Sequence, residues 1–118
     1  AEAGVAVYQF EAKPAGEGDV GSVSVRFLDL ATGQMIENRW PIPYEADAPR
    51  LDQAAPALRL ASSAALFAAK LRSDRLGETI ELKTLADLVS SLPERVRKAT
   101  RVEQLQQMIQ QARQISGK

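Results

Sequence analysis

The feature that most constrains the fold is an alanine-rich segment, LRLASSAALFAAKLR, at residues 58–72. Its polar residues fall near one helical stripe, interrupted by Leu66: Arg59, Ser62, Ser63, Lys70 and Ser73. Leucine, phenylalanine and alanine fill the rest of the circumference, which is typical of a helix contacted on more than one side. Small side chains let a neighbouring backbone come close, and they lie at Ala61, Ala64, Ala65, Ala68 and Ala69. We therefore predict a central helix over residues 57–72.

Composition excludes several classes of function. The 118 residues contain no cysteine and no histidine, which removes disulfides, thiolate metal sites and Ser-His triads. Fifteen basic and fifteen acidic residues cancel, so no overall field attracts nucleic acid or an anionic membrane. The longest apolar run is far short of the roughly 20 residues that span a bilayer. We expect no cofactor, no metal, no nucleic-acid partner and no direct membrane insertion.

The first predicted strand covers residues 4–12. Val5 and Val7 alternate with Ala6, Tyr8 and Phe10, so both faces of this strand are apolar. An antiparallel strand with one solvated face shows a polar side, which this segment lacks. We expect the strand to be covered on both sides, by helices or by something outside this chain.

Residues 22–29 and 34–42 predict a β-hairpin. Each strand carries an apolar set on one face: Val23, Val25 and Phe27, and then Ile36, Trp40 and Ile42. The two apolar sets lie on the same face of the hairpin only if the loop contains an even number of residues, such as residues 30–33 closed by Asp29 and Gln34. This loop pairs Phe27 with Ile36 and Val23 with Trp40. Because Pro41 and Pro43 cannot donate to a ladder, the second strand must end there or lie at an edge.

Two amphipathic helices complete the predicted fold. Thr84 and Asp87 resemble a capping box before a helix over residues 85–92, which Pro93 stops or kinks. Thr100 and Glu103 form a second capping box before a helix over residues 101–115. The prediction is one α+β domain over residues 1–118, in which a small antiparallel sheet of about three strands packs against the three helices.

This order of elements resembles the C-terminal region of bacterial von Willebrand factor A-domain proteins of the YfbK type, a domain of unknown function. The segments that carry the resemblance are VAVYQF, SVSVRFLDLATGQMIENRWPIP, LRLASSAALFAAKLRSDRLGE and, more weakly, the closing amphipathic helix. They cover most of the chain in the family's order. They are scaffold patterns and contain no catalytic signature.

The resemblance implies an accessory domain of unassigned activity in an exported or envelope-associated bacterial protein, in the cell envelope, the periplasm or outside the cell. In that family the preceding A domain binds a divalent cation through an Asp-x-Ser-x-Ser loop. No such loop occurs in this chain, so no metal-binding residue carries over. The implied partner is the preceding A module or an N-terminal segment of the same parent chain. Because the chain starts at Ala1 and not at methionine, we expect it to be excised or processed from a longer one.

The candidate partner contacts are Trp40, Tyr8, Arg95 and Arg97. Trp40 is the sole tryptophan; core packing is its commoner role, and interfaces also favour tryptophan. Arg95 and Arg97 belong to a basic cluster with Lys98 and Arg101, which suits a solvated helix surface or an acidic partner.

No catalytic residue is predicted. The clustered carboxylates Glu78, Glu81 and Asp87 suit surface and capping roles better than paired acid and base catalysis. Ser62 and Ser63 have no histidine to activate them, and the loop with Glu17 and Asp19 lacks the regular ligand spacing of calcium sites. The leading hypothesis is a non-catalytic interaction domain. The alternatives are a free-standing peptide-binding module and a carboxylate-dependent hydrolase using Glu78 and Glu81.

The family hypothesis makes a prediction about the gene. We expect the sequence upstream of the codon for Ala1 to encode an Asp-x-Ser-x-Ser loop within a von Willebrand A domain. Sequencing the gene upstream of that codon checks this. An upstream sequence without such a loop would remove the main support for the resemblance.

Overall fold

The computed structural model describes residues 5–12, 16 and 18–116. The chain divides into two compact units, one formed by Ala1–Tyr8 with Pro49–Lys118 and the other by Gln9–Ala48. Helices make up the first unit and a β-hairpin the second. The α+β class predicted from the sequence is confirmed.

The hairpin consists of β1, Asp19–Leu28, and β2, Met35–Pro43, paired antiparallel. Phe27 lies opposite Ile36 and Val23 opposite Trp40, which confirms the predicted register. The Asp29 N–H donates to the Gln34 carbonyl at 2.9 Å and closes the loop. Within the loop Gly33 has a φ of 70°, in the left-handed region that favours glycine.

The described residues form two strands, not about three. Residues 5–12 have no regular secondary structure and are exposed, whereas their alternating pattern predicted a strand over residues 4–12. A strand needs a neighbouring edge for its N–H and C=O groups, and alternation alone does not provide one. Gly4, the first residue of the predicted strand, lies outside the described residues.

The described residues of the helical unit form a short 3-10 helix, Leu51–Gln53, and five α-helices. Their bounds are Pro56–Leu71 (α1), Arg75–Glu78 (α2), Leu82–Ser90 (α3), Glu94–Arg97 (α4) and Thr100–Ser116 (α5). The apolar core gathers around α3, whose Leu85 and Val89 are fully buried together with Ile109 of α5.

Both predicted capping boxes are wrong. Helix α3 begins at Leu82 with Glu81 as its N-cap, so Thr84 lies inside the helix. Helix α5 begins at Thr100, so Thr100 is a helical residue and not the N-cap. The Asp87 carboxylate accepts a hydrogen bond from Lys83 at 2.7 Å. Pro93 follows the end of α3 and is the N-cap of the short helix α4, as its missing N–H allows.

The buried side of α1 contains part of the polar stripe, together with Phe67 and Ala69. Ser62 and Ser63 are buried, whereas Ala64 and Ala65 are exposed. The Ser63 hydroxyl donates to the Arg59 carbonyl at 2.7 Å, so its polar group is satisfied inside the helix. The polar stripe faces α3, where Arg59 donates to the Ser91 hydroxyl at 2.8 Å. The alanine-rich side is the one that the described residues leave open.

A glycine contact joins α2 to α1. Gly77 is buried, and a Cβ atom placed on it would fall on the backbone of Lys70 and Ala69. The Lys70 ammonium lies at the same junction and donates to the Ile80 carbonyl at 2.8 Å and the Gly77 carbonyl at 3.3 Å. Only glycine permits this approach of the two backbones.

We expect Gly77→Ala to destabilise the helical unit by about 3 kcal/mol, because the added methyl group would force α2 away from α1. Urea unfolding followed by far-UV circular dichroism measures the change. Gly21→Ala is the matched control, since no heavy atom lies within 4 Å of its Cβ position and its φ is ordinary. Equal stability of the two variants would contradict the close contact.

Candidate functional site

The two faces of the hairpin have different chemistry. Side chains of an antiparallel pair alternate between faces. One face, called here the apolar face, consists of Val23, Val25, Phe27, Ile36, Asn38, Trp40 and Ile42. Only Asn38 among these is polar. On the opposite face the Ser24 hydroxyl donates to Glu37 at 2.7 Å, and Arg39 lies 3.7 Å from the same carboxylate. The hairpin is therefore amphipathic.

The apolar face is uncovered in the described structure. Val23, Val25 and Phe27 are 40%, 45% and 43% exposed, and Trp40 is 51% exposed. An antiparallel sheet usually keeps one face on a core and the other in solvent. Here the side chains of the face with the chemistry of a core remain about half exposed, which marks it as a surface for contact with another structure.

A second apolar surface lies along α1 in the helical unit. Ala64 and Ala65 are exposed there, with Leu58 52% and Leu71 64% exposed near the two ends of the helix. A shallow groove of about 530 Å³ runs beside this side of α1 and is lined by Val5, Val7, Ala57, Leu60, Ala61, Ala64 and Ala65. Its lining has no charged side chain, so it favours apolar contacts.

Glu78 and Glu81 lie on a common cavity of about 720 Å³. Both side chains are exposed, and Asp87 is not among the lining residues. Two of the cations that line the cavity are engaged, because Lys70 donates to two carbonyls and Lys83 binds Asp87. The structure thus brings together two of the three carboxylates that the sequence singled out.

The predicted partner contacts fall on both units. Trp40 lies on the apolar face of the hairpin and is not part of the buried core. Tyr8, 79% exposed, belongs to the helical unit, as do Arg95 and Arg97 on α4. Arg95 is exposed and Arg97 is half-buried, with its Nε atom lacking a hydrogen-bond partner among the described residues. Lys98 of the same basic cluster pairs with Glu94 at 2.9 Å.

The remaining polar candidates have structural roles or lie outside the description. Ser63 is fully buried and bonded to its own helix, which leaves it no access to a substrate. Asp19 starts β1, and Glu17 lies outside the described residues. Within the part of the chain that the structure describes, no three His, Cys, Asp or Glu side chains group as metal ligands.

Sequence reasoning found the residues of the apolar face but assigned them to a covered sheet. It missed the open side of α1 altogether. The polar stripe could have indicated this open side. Arg59 and Lys70 are long enough to reach partners beyond their own helix, and Ser63 is small enough to bond a carbonyl within it, so all three can be satisfied when the stripe is buried.

No family model matches the chain, and comparisons with curated proteins and with solved structures give no match either. None of the helices formed by the described residues is long and apolar enough to cross a membrane.

Proposed function

We propose that this chain is a non-catalytic interaction domain whose hairpin packs its apolar face on another part of a parent protein. The observation that carries this proposal is the uncovered apolar face, with Val23, Val25, Phe27 and Trp40 each 40–51% exposed. As the sequence resemblance implies, the parent is a bacterial envelope protein with a von Willebrand A domain, and that domain is the partner.

The size of the apolar face favours a partner in the same parent chain. Fully burying a valine or phenylalanine side chain contributes about 1.5–3 kcal/mol, and these side chains are already about half covered. The four together would contribute only several kcal/mol, whereas association of separate proteins costs roughly 4–15 kcal/mol. A covalent connection lowers that cost by raising the effective concentration of the partner.

The open side of α1 supports the same proposal. Ala64 and Ala65 are small enough to let a neighbouring backbone lie close to the helix, and the side chains that line the groove beside them are all apolar. A domain with two uncovered apolar surfaces, one on each unit, suits a role in assembly better than one in catalysis.

The proposal predicts the behaviour of a single fluorinated tryptophan. Because Trp40 is the only tryptophan, 5-fluorotryptophan labelling gives this chain one ¹⁹F resonance. We expect that resonance to shift when the labelled chain is ligated to the unlabelled module encoded directly upstream, because the covalent connection supplies the effective concentration that the small apolar face needs. Val25→Glu should abolish the shift, since it places a charge in the middle of the apolar face.

Met35→Glu is the matched control for this experiment. Met35 is 58% exposed and lies on the opposite face of the hairpin, so the same change of charge should leave binding intact. A ¹⁹F resonance that the upstream module does not shift would refute the proposed partner. Equal binding by Val25→Glu and wild type would refute the proposed surface.

The hydrolase alternative is favoured by one observation, the common cavity of Glu78 and Glu81. Acid and base catalysis by a pair of carboxyl groups needs them in different environments, and both of these are exposed to solvent. We therefore expect the wild type and the double variant Glu78→Gln/Glu81→Gln to release nitrophenol from nitrophenyl esters and glycosides at the same background rate. Faster release by the wild type would favour the hydrolase.

A further inference from the structure

The two edges of the hairpin differ in their ability to accept another strand. Antiparallel pairs alternate between residues that bond across the ladder and residues whose N–H and C=O groups point outward. The Asp29 N–H donates to the Gln34 carbonyl at one end, and the Tyr44 N–H donates to the Gly18 carbonyl at the other. Even-numbered residues of β2 therefore bond inward, and its odd-numbered residues point outward.

Proline closes part of the outer edge of β2. Pro41 and Pro43 occupy outward positions, where their missing N–H groups leave the ladder with β1 intact. A strand approaching this edge would find no donor at either position. Proline at a sheet edge is a known means of preventing further pairing.

The outer edge of β1 is free of this block. Given the register, its outward positions are those opposite odd-numbered residues of β2: Ser22, Ser24, Arg26 and Leu28. All four have an N–H group, and β1 has no second neighbouring strand among the described residues. The β1 edge therefore offers four consecutive outward donors and acceptors.

The side chains along the β1 edge define the partner's chemistry. Arg26 is exposed, and its guanidinium makes no hydrogen bond or ion pair within the described residues. The Glu37 carboxylate opposite it is held by Ser24 and Arg39. A carboxylate on an added strand opposite Arg26 would provide the missing charge. The alternate residues of that strand would extend the apolar face beside Val23, Val25 and Phe27.

We infer that the β1 edge binds an extended polypeptide segment in which apolar residues alternate with polar ones and an acidic residue lies opposite Arg26. This inference rests on the proposed role of the hairpin as an interaction surface and specifies how the partner binds. Strand addition supplies main-chain hydrogen bonds for affinity, and the charge and the apolar positions supply specificity.

A synthetic peptide tests the inference without the upstream module. The probe is a nine-residue peptide that alternates threonine with valine and has glutamate at its centre, titrated to millimolar concentration into the ¹⁵N-labelled chain. We expect amide shifts centred on Ser22, Ser24 and Arg26. A peptide with lysine at the centre should bind at least about threefold more weakly, since it opposes Arg26.

Two proline variants distinguish the edges. Ser24 and Arg39 lie directly opposite each other, both point their N–H groups outward, and both contact Glu37. Ser24→Pro should abolish peptide binding, whereas Arg39→Pro should leave it within about twofold of wild type. Since the N–H removed in each variant is outside the ladder, the remaining hairpin amides should keep their chemical shifts.

Arg26→Glu keeps the test decisive even where a proline disturbs the hairpin. This variant should reverse the preference and bind the lysine peptide more tightly than the glutamate peptide. Unchanged preference, binding by Ser24→Pro equal to wild type, or no amide shifts with either peptide would each overturn the inference. If the upstream module still shifts the Trp40 resonance in that case, the edge assignment fails and the proposed function stands.

Discussion

The loop closed by Asp29 and Gln34 fixes the register of the hairpin, and both the apolar face and the free edge of β1 depend on that register. With an even-numbered loop, Val23 meets Trp40 and Phe27 meets Ile36, so the apolar side chains share one face. A shift of one residue would place the two apolar sets on opposite faces. It would also put Pro41, which has no N–H, at a position that must donate to β1. The 2.9 Å bond from Asp29 to Gln34 thus determines both the apolar face and the edge that can accept a strand.

The sequence predicted this part of the fold because hairpin pairing is local. Alternation, loop parity and the prolines all depend on residues within one short segment. Together they required an even-numbered loop, and the structure has the four-residue one. The strand predicted over residues 4–12 failed for the opposite reason. Val5 and Val7 alternate with Tyr8 and Phe10, which shows that the segment suits a sheet. Only a neighbouring edge can make it a strand, and residues 5–12 have none in the described structure.

Helix α1 shows why small side chains mislead a hydropathy argument. Burying an alanine methyl group contributes little, and a serine hydroxyl that bonds the carbonyl one turn earlier loses little by burial. Ser63 therefore lies against the core with its hydroxyl on the Arg59 carbonyl, while Ala65 lies in solvent. Lys70 likewise lies at a helix junction because its ammonium reaches two carbonyls. The apolar circumference predicted contacts on more than one side of α1; hydrogen bonding explains why part of the polar stripe is buried as well.

The difference between the two edges bears on how the domain avoids uncontrolled association. A hairpin with an apolar face and two open edges would be a template for repeated strand addition. Pro41 and Pro43 remove two of the outward donors of the β2 edge, so strand addition is favoured at the β1 edge and would give a sheet of three strands whose outer members belong to different segments. The alternating pattern of the sequence suggested about three strands. On the strand-addition model, the third strand would come from the partner, so the apolar face and the unpaired Arg26 would be completed by the same binding event.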